Sequence, residues 1–164
     1  MIIITLEGLF RYKQLCGIYL GMPANEVAKQ FGHPSHWENE RLPFLESEIW
    51  TYGNATTPYQ SEIQFNFDFQ KRTLSEIMCL FSSPQYVKVR DVDYSTLKTL
   101  NGMRLWLSTV SVPFRQTENR VGAPLLISDA GTCALFSQDS GHDAELEGIR
   151  ASIRSPDVFP WSGK

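Results

Sequence analysis

The stretch Ser61–Gln70, SEIQFNFDFQ, constrains the fold more than any other part of the chain. Apolar Ile63, Phe65, Phe67 and Phe69 alternate with polar Glu62, Gln64, Asn66, Asp68 and Gln70. A period of two predicts a β-strand with one dry face and one wet face. Such a strand belongs in an antiparallel sheet with its apolar side covered. Its neighbours are also legible. Ser47–Asn54 (SEIWTYGN) predicts a strand ending at a Gly-Asn turn, and Leu74–Ser83 (LSEIMCLFSS) predicts another. The short Gln70–Thr73 link makes the last two strands a hairpin.

The cover is predicted to be helical. Ala24, Val27, Ala28 and Phe31 fall on one helix face, Pro23 suits the first turn, and Gly32 with Pro34 stops the helix. A helix of about nine residues is too short to be stable alone, so it must pack on the sheet. Tyr94–Leu107 predicts a second helix, with Asp93 as N-cap and Gly102 as a weak point. Met1–Leu6 reads as a strand, Gly17–Leu20 as extended and Ser111–Pro124 as a long loop. PLLISDAG, TCALFSQD and AELEGIRASI read as three further strands. The expected fold is α+β: an antiparallel sheet with helices packed on one face.

The chain also reads as doubled. Gly21-Met22 has a counterpart in Gly102-Met103, Gly53 in Gly131, and Leu74-Ser-Glu-Ile77 in Leu146-Glu-Gly-Ile149, at offsets of 81, 78 and 72. Two α-β-β-β halves are expected, residues 1–90 and 91–154, packed as one unit and followed by an irregular tail, 155–164. Pairing them gives each a core that neither could build alone.

The residues Gly17-Ile-Tyr-Leu-Gly-Met22, Glu26-Val27, Phe31-Gly32, Pro34 and Trp50-Thr-Tyr52-Gly53 carry a resemblance. Over about Gly17–Ser82 the chain resembles small outer-membrane lipoproteins of the SmpA/OmlA type and the β-lactamase-inhibitor-protein-like fold. That resemblance implies a helix-plus-sheet unit used twice. It also implies kinship with soluble immunity proteins that neutralise a partner toxin. Pro23 stands where the family pattern has Ser or Thr, and KQLC lacks the small residues that precede a lipidated cysteine.

Charge narrows the partner. The chain carries 15 Lys/Arg and 18 Asp/Glu, a formal −3, which gives no support to general phosphate binding. No apolar run approaches the ~20 residues of a membrane helix, and the N-terminus lacks a basic leader, so a cytoplasmic chain is expected. Cys16, Cys79 and Cys133 are odd in number and widely spaced, which predicts buried free thiols rather than a disulfide framework or zinc site. His33-Pro-Ser-His36 reads as loop histidines, and no metal or other cofactor is expected.

The leading expectation is a non-enzymatic protein-binding module, an immunity or inhibitor protein that occludes a partner, with a basic toxin domain as the partner its acidity fits. The expected contacts are Trp37, Glu38, Glu40, Tyr59, Glu62, Gln64, Asn66 and Asp68, with a second patch at Asp139, Asp143 and Glu145. Acidic charge would speed encounter and aromatic anchors would supply affinity. Two alternatives stand beside it. One is a thiol hydrolase using Cys133, His142 and Asp143; the other is an assembly or scaffold protein akin to the lipoproteins.

Overall fold

A computed structural model describes residues 2–53, 63–80, 87–138 and 144–154. The chain opens with β1 (Ile2–Ile4), α1 (Glu7–Tyr12) and the small hairpin β2 (Gln14–Leu15) and β3 (Ile18–Tyr19). There follow α2 (Ala24–Phe31), β4 (His36–Trp37), β5 (Ile49–Tyr52), β6 (Ile63–Phe67) and β7 (Leu74–Leu80). Next come β8 (Val87–Val89), α3 (Tyr94–Leu97) and α4 (Leu100–Thr109). The last four strands are β9 (Phe114–Glu118), β10 (Pro124–Ser128), β11 (Cys133–Phe136) and β12 (Leu146–Ser152).

The fold is α+β. Eight strands form one antiparallel sheet in the order β4-β5-β6-β7-β12-β11-β10-β9. The order mirrors itself about the β7–β12 pair, where Met78 faces Arg150, Glu76 faces Ser152 and Leu80 faces Gly148. A shift of 72 positions carries Met78 to Arg150, Glu76 to Gly148 and Leu80 to Ser152. The register therefore places an approximate two-fold axis through the Met78–Arg150 pair.

The same relation governs how each helix meets the sheet. Pro23 bridges Thr73 just before α2 and β7, and Thr99 bridges Glu145 just before α4 and β12. Leu74 N–H donates to Met22 O at 2.8 Å, and Leu146 N–H donates to Lys98 O at 2.8 Å. By this criterion Met22 corresponds to Lys98. The two Gly-Met pairs are not equivalent, because Gly102 lies inside α4.

One core joins the helices to the sheet. Val27 of α2, Leu97 of α3 and Met103 and Leu107 of α4 share it with Trp50, Phe65, Ile77, Phe136 and Ile149. Phe31 meets Tyr52 and Phe65 edge-on at 4.9 and 5.0 Å, and the Tyr52 hydroxyl donates to Gly32 O at 2.9 Å. Each such buried side chain contributes roughly 1.5–3 kcal/mol of transfer free energy. Outside the main sheet, β1 pairs with β8 in parallel. Beyond β8, the Asp91 carboxylate accepts the N–H groups of Leu6 and Glu7, capping α1 from the middle of the sequence.

Several expectations change. β6 ends at Phe67, so Phe69 lies in the Asp68–Thr73 turn and is 63% exposed instead of joining the dry face. The Ser111–Pro124 loop contains β9, whose FRQTE sequence lacks an apolar alternation because it is an edge strand. The second helix is two, because Thr99 takes extended geometry (φ −112°, ψ 154°). The strand expected over Met1–Leu6 is present as Ile2–Ile4, and α1, which follows it at Glu7, was not anticipated. Cys79 and Cys133 are buried thiols outside any disulfide, but Cys16 is exposed, held at φ 51° in the β2–β3 turn.

Candidate functional site

The site begins with strand alternation. Phe65, Ile77, Cys79, Ile149 and Ala151 point into the main core, so the residues between them point to the opposite side of the sheet. That side carries Gln64 and Asn66 from β6, Glu76 and Met78 from β7, and Arg150 and Ser152 from β12. Ser75 is an extra residue on β7: Asn66 faces Glu76 while Phe67 faces Leu74. Such a bulge bends a strand and re-aims its side chains. The Ser75 hydroxyl donates back to Asn66 O at 2.9 Å.

A hydrogen-bonded chain crosses these three strands. Gln64 Nε2 donates to Asn66 Oδ1 at 2.8 Å, and Asn66 Nδ2 donates to Glu76 Oε1 at 3.0 Å. The Arg150 guanidinium pairs with Glu76 Oε2. Glu76 is only 6% exposed, so both carboxylate oxygens need partners, and both have them. Above the ion pair opens a cleft of about 470 Å³. Asn66, Ser75, Glu76, Arg150 and Ser152 line it, with Glu48, Asp68 and Arg154 around it. Phe69 and Ile153, 63% and 56% exposed, also border it.

The same side of the second half is different. Ala123, Leu125, Ile127, Cys133 and Leu135 form a separate buried apolar cluster. The wet face read from the alternation of Ser61–Gln70 does not extend to this flank. The apolar flank is not open, whereas Gln64, Asn66, Met78 and Arg150 of the other flank keep partial exposure.

Of the sequence-derived candidates, Gln64 and Asn66 belong to the network. Asp68 borders the cleft, but its Oδ1 accepts the N–H groups of Gln70 and Lys71 at 3.0 and 2.8 Å, which fixes the β6–β7 turn. Trp37 is not a free anchor. Its indole donates to Leu42 O at 2.8 Å and its ring packs on His33 and Phe44. Glu38 is exposed at the β4 end of the sheet, and Glu40 pairs with His36 Nδ1 at 2.7 Å. Glu145 pairs with Lys98 at 3.3 Å beside α3. Cys133 sits in the buried apolar cluster. Tyr59, Glu62, Asp139, His142 and Asp143 lie outside the described residues.

Sequence reasoning missed Glu76, Arg150, Glu48, Phe69, Ile153 and Arg154. Glu76 and Arg150 carried a usable signal, since each is a charge inside an apolar alternating strand. Their partnership was not legible, because it requires β7 to lie beside β12. Among the described residues, no group of three or more His, Cys, Asp or Glu is placed to hold a metal, and no helix is long and apolar enough to cross a membrane. Comparison with protein-family models, with curated proteins and with solved structures finds no match.

Proposed function

We propose that this chain is a non-enzymatic protein-binding module that works through the polar flank of its sheet. The single observation that carries this is the cleft over the Glu76–Arg150 pair, a satisfied polar floor beside exposed Phe69 and Ile153. Exposed apolar groups around a structured polar centre are what an affinity-bearing contact needs. The resemblance of Gly17–Ser82 to inhibitor-protein-like folds supports the narrower reading, an immunity or inhibitor protein that covers a partner's working surface. Charge steering is weaker than the acidic composition implied, because Glu40, Glu76 and Glu145 each face a His, Arg or Lys of the same chain.

The test uses a tagged full-length chain expressed in its own host, compared with a Phe69→Ser/Ile153→Ser variant. A partner at about 1:1 stoichiometry should co-purify with the parent and be lost from the variant, while Tm stays within about 2 °C because both side chains are exposed. Retention of the partner by the variant would overturn the assignment of the binding face.

A further inference from the structure

We infer that the cleft over Glu76 receives a cationic side chain of the partner protein, arginine in preference to lysine. The inference deepens the protein-binding reading and rests on it. Three carboxylates, Glu48, Asp68 and Glu76, line the cleft against two guanidinium groups, Arg150 and Arg154, a net charge of −1. Arg150 is committed to Glu76, and Glu48 and Arg154 are exposed. The incoming group therefore meets an acidic wall from the β5–β7 side and one exposed guanidinium opposite.

The aromatic border supplies the preference for arginine. The Phe69 ring already holds a guanidinium: Arg72 Cζ lies 5.3 Å from its centroid, steadied by an Arg72 Nη1 bond to Glu46 O at 2.8 Å. A planar, weakly hydrated guanidinium stacks on an aromatic face and bonds carboxylates with a fork of donors, and an ammonium does neither as well. The buried Glu76–Arg150–Asn66 network holds the floor fixed, so little ordering is left for the moment of binding.

The probe is N-acetyl-L-arginine amide, titrated into the isotope-labelled full chain and followed by NMR. Its lysine and citrulline counterparts and inorganic phosphate serve as comparisons. The arginine probe should give saturable shifts at the Asn66 side-chain amide and at the amides of Phe67–Phe69 and Ser152–Arg154. Citrulline, which keeps the shape and loses the charge, should give none, and lysine should bind more weakly. Glu48→Gln should weaken arginine binding about three-fold and Arg154→Gln should strengthen it, the size of an exposed charge pair. No saturable shift with arginine, equal shifts with citrulline, or shifts with phosphate instead would overturn the inference. If the arginine probe fails while Phe69→Ser/Ile153→Ser still releases the partner, the cationic anchor falls and the binding face stands. If the probe binds but that variant keeps the partner, the binding face falls, and the cationic-partner inference that rests on it falls too.

Discussion

The two halves of this sheet share a topology and differ on one side. Facing the core they match: Ile77 and Ile149 are both buried there, and α2 and α4 are each tied by an isolated bridge to the residue preceding the last strand of their half. On the other side, β6 and β7 present Gln64, Asn66 and Glu76, whereas β10 and β11 present Leu125, Ile127, Cys133 and Leu135. The symmetry breaks at the centre, where Arg150 takes the place corresponding to Met78 and Glu76 the place corresponding to Gly148. The repeated pattern builds the scaffold, and the departures from it supply the chemistry. A buried ion pair is a weak source of stability, and this one forms the floor of the cleft.

The comparison breaks most directly at Glu76. Glu76→Ala should cost about 3 kcal/mol in urea unfolding, because it strands the Arg150 guanidinium on a largely buried floor. That is the low end for such a loss, since Arg150 keeps 20% of its side-chain exposure. Glu76→Leu combined with Arg150→Met, which installs the residue found at the symmetry-related position, should return to within about 1 kcal/mol of the parent or exceed it. If Glu76→Ala costs no more than an ordinary surface change, the polar flank is only solvated and the contrast loses its meaning.

The contrast between the helices is nearly as large, and it shows what the sequence could convey. The alternation of β6, the α2 stripe with its stops, the Asp93 cap and the hairpin at 68–73 rest on local patterns, and all are present. Gly102 looked like a weakness in a helix. Its reason is tertiary: a Cβ there would lie 1.8 Å from Thr96 O, because α4 runs hard against α3. Edge strand β9, the short β4 and β8, and the Glu76–Arg150 contact depend in the same way on what lies beside them, which no local period encodes. Gly102→Ala gains about 1 kcal/mol of helix propensity. Backbone crowding should nonetheless reverse the sign, to a net loss of about 2 kcal/mol or more in thermal unfolding. A stabilised Gly102→Ala protein would show that the α3–α4 contact is looser than this.

The buried thiol of Cys79 sharpens the comparison through pH. Cys79 faces the core, and burial pushes its thiol up to about 12, with the neighbouring Cys16 charge adding to the rise. The folded chain thus keeps a proton that the unfolded chain releases near 9. Stability from this group is intact below that pH and is lost as pH climbs toward about 12, with a limiting slope of about 1.4 kcal/mol per unit. Burial raises the Tyr52 phenol as well, so its contribution fades above its ordinary value of 10.0. Urea midpoints measured between pH 8 and pH 11 should fall less steeply in Cys79→Ala than in the parent, whatever the intercept. An unchanged slope in Cys79→Ala would mean that the thiol is reached by water in the folded state.

The smallest effect separates the two helix starts. Thr99 Oγ1 accepts the Gly102 N–H at 3.1 Å, so α4 has a side-chain cap. The corresponding position before α2 is Pro23, at φ −61° and ψ 144°, with no side-chain cap. Thr99→Ala should cost about 1 kcal/mol. Pro23→Ser should change stability by no more than about 0.5 kcal/mol: the new hydroxyl can cap α2, but the unfolded chain regains the freedom that proline removed. Both numbers come from chemical unfolding of single variants. A Pro23→Ser gain equal to the Thr99→Ala loss would mean that proline's rigidity contributes nothing at this site, and that α2 relies only on its bridge to Thr73 and its packing on Tyr52 and Phe65.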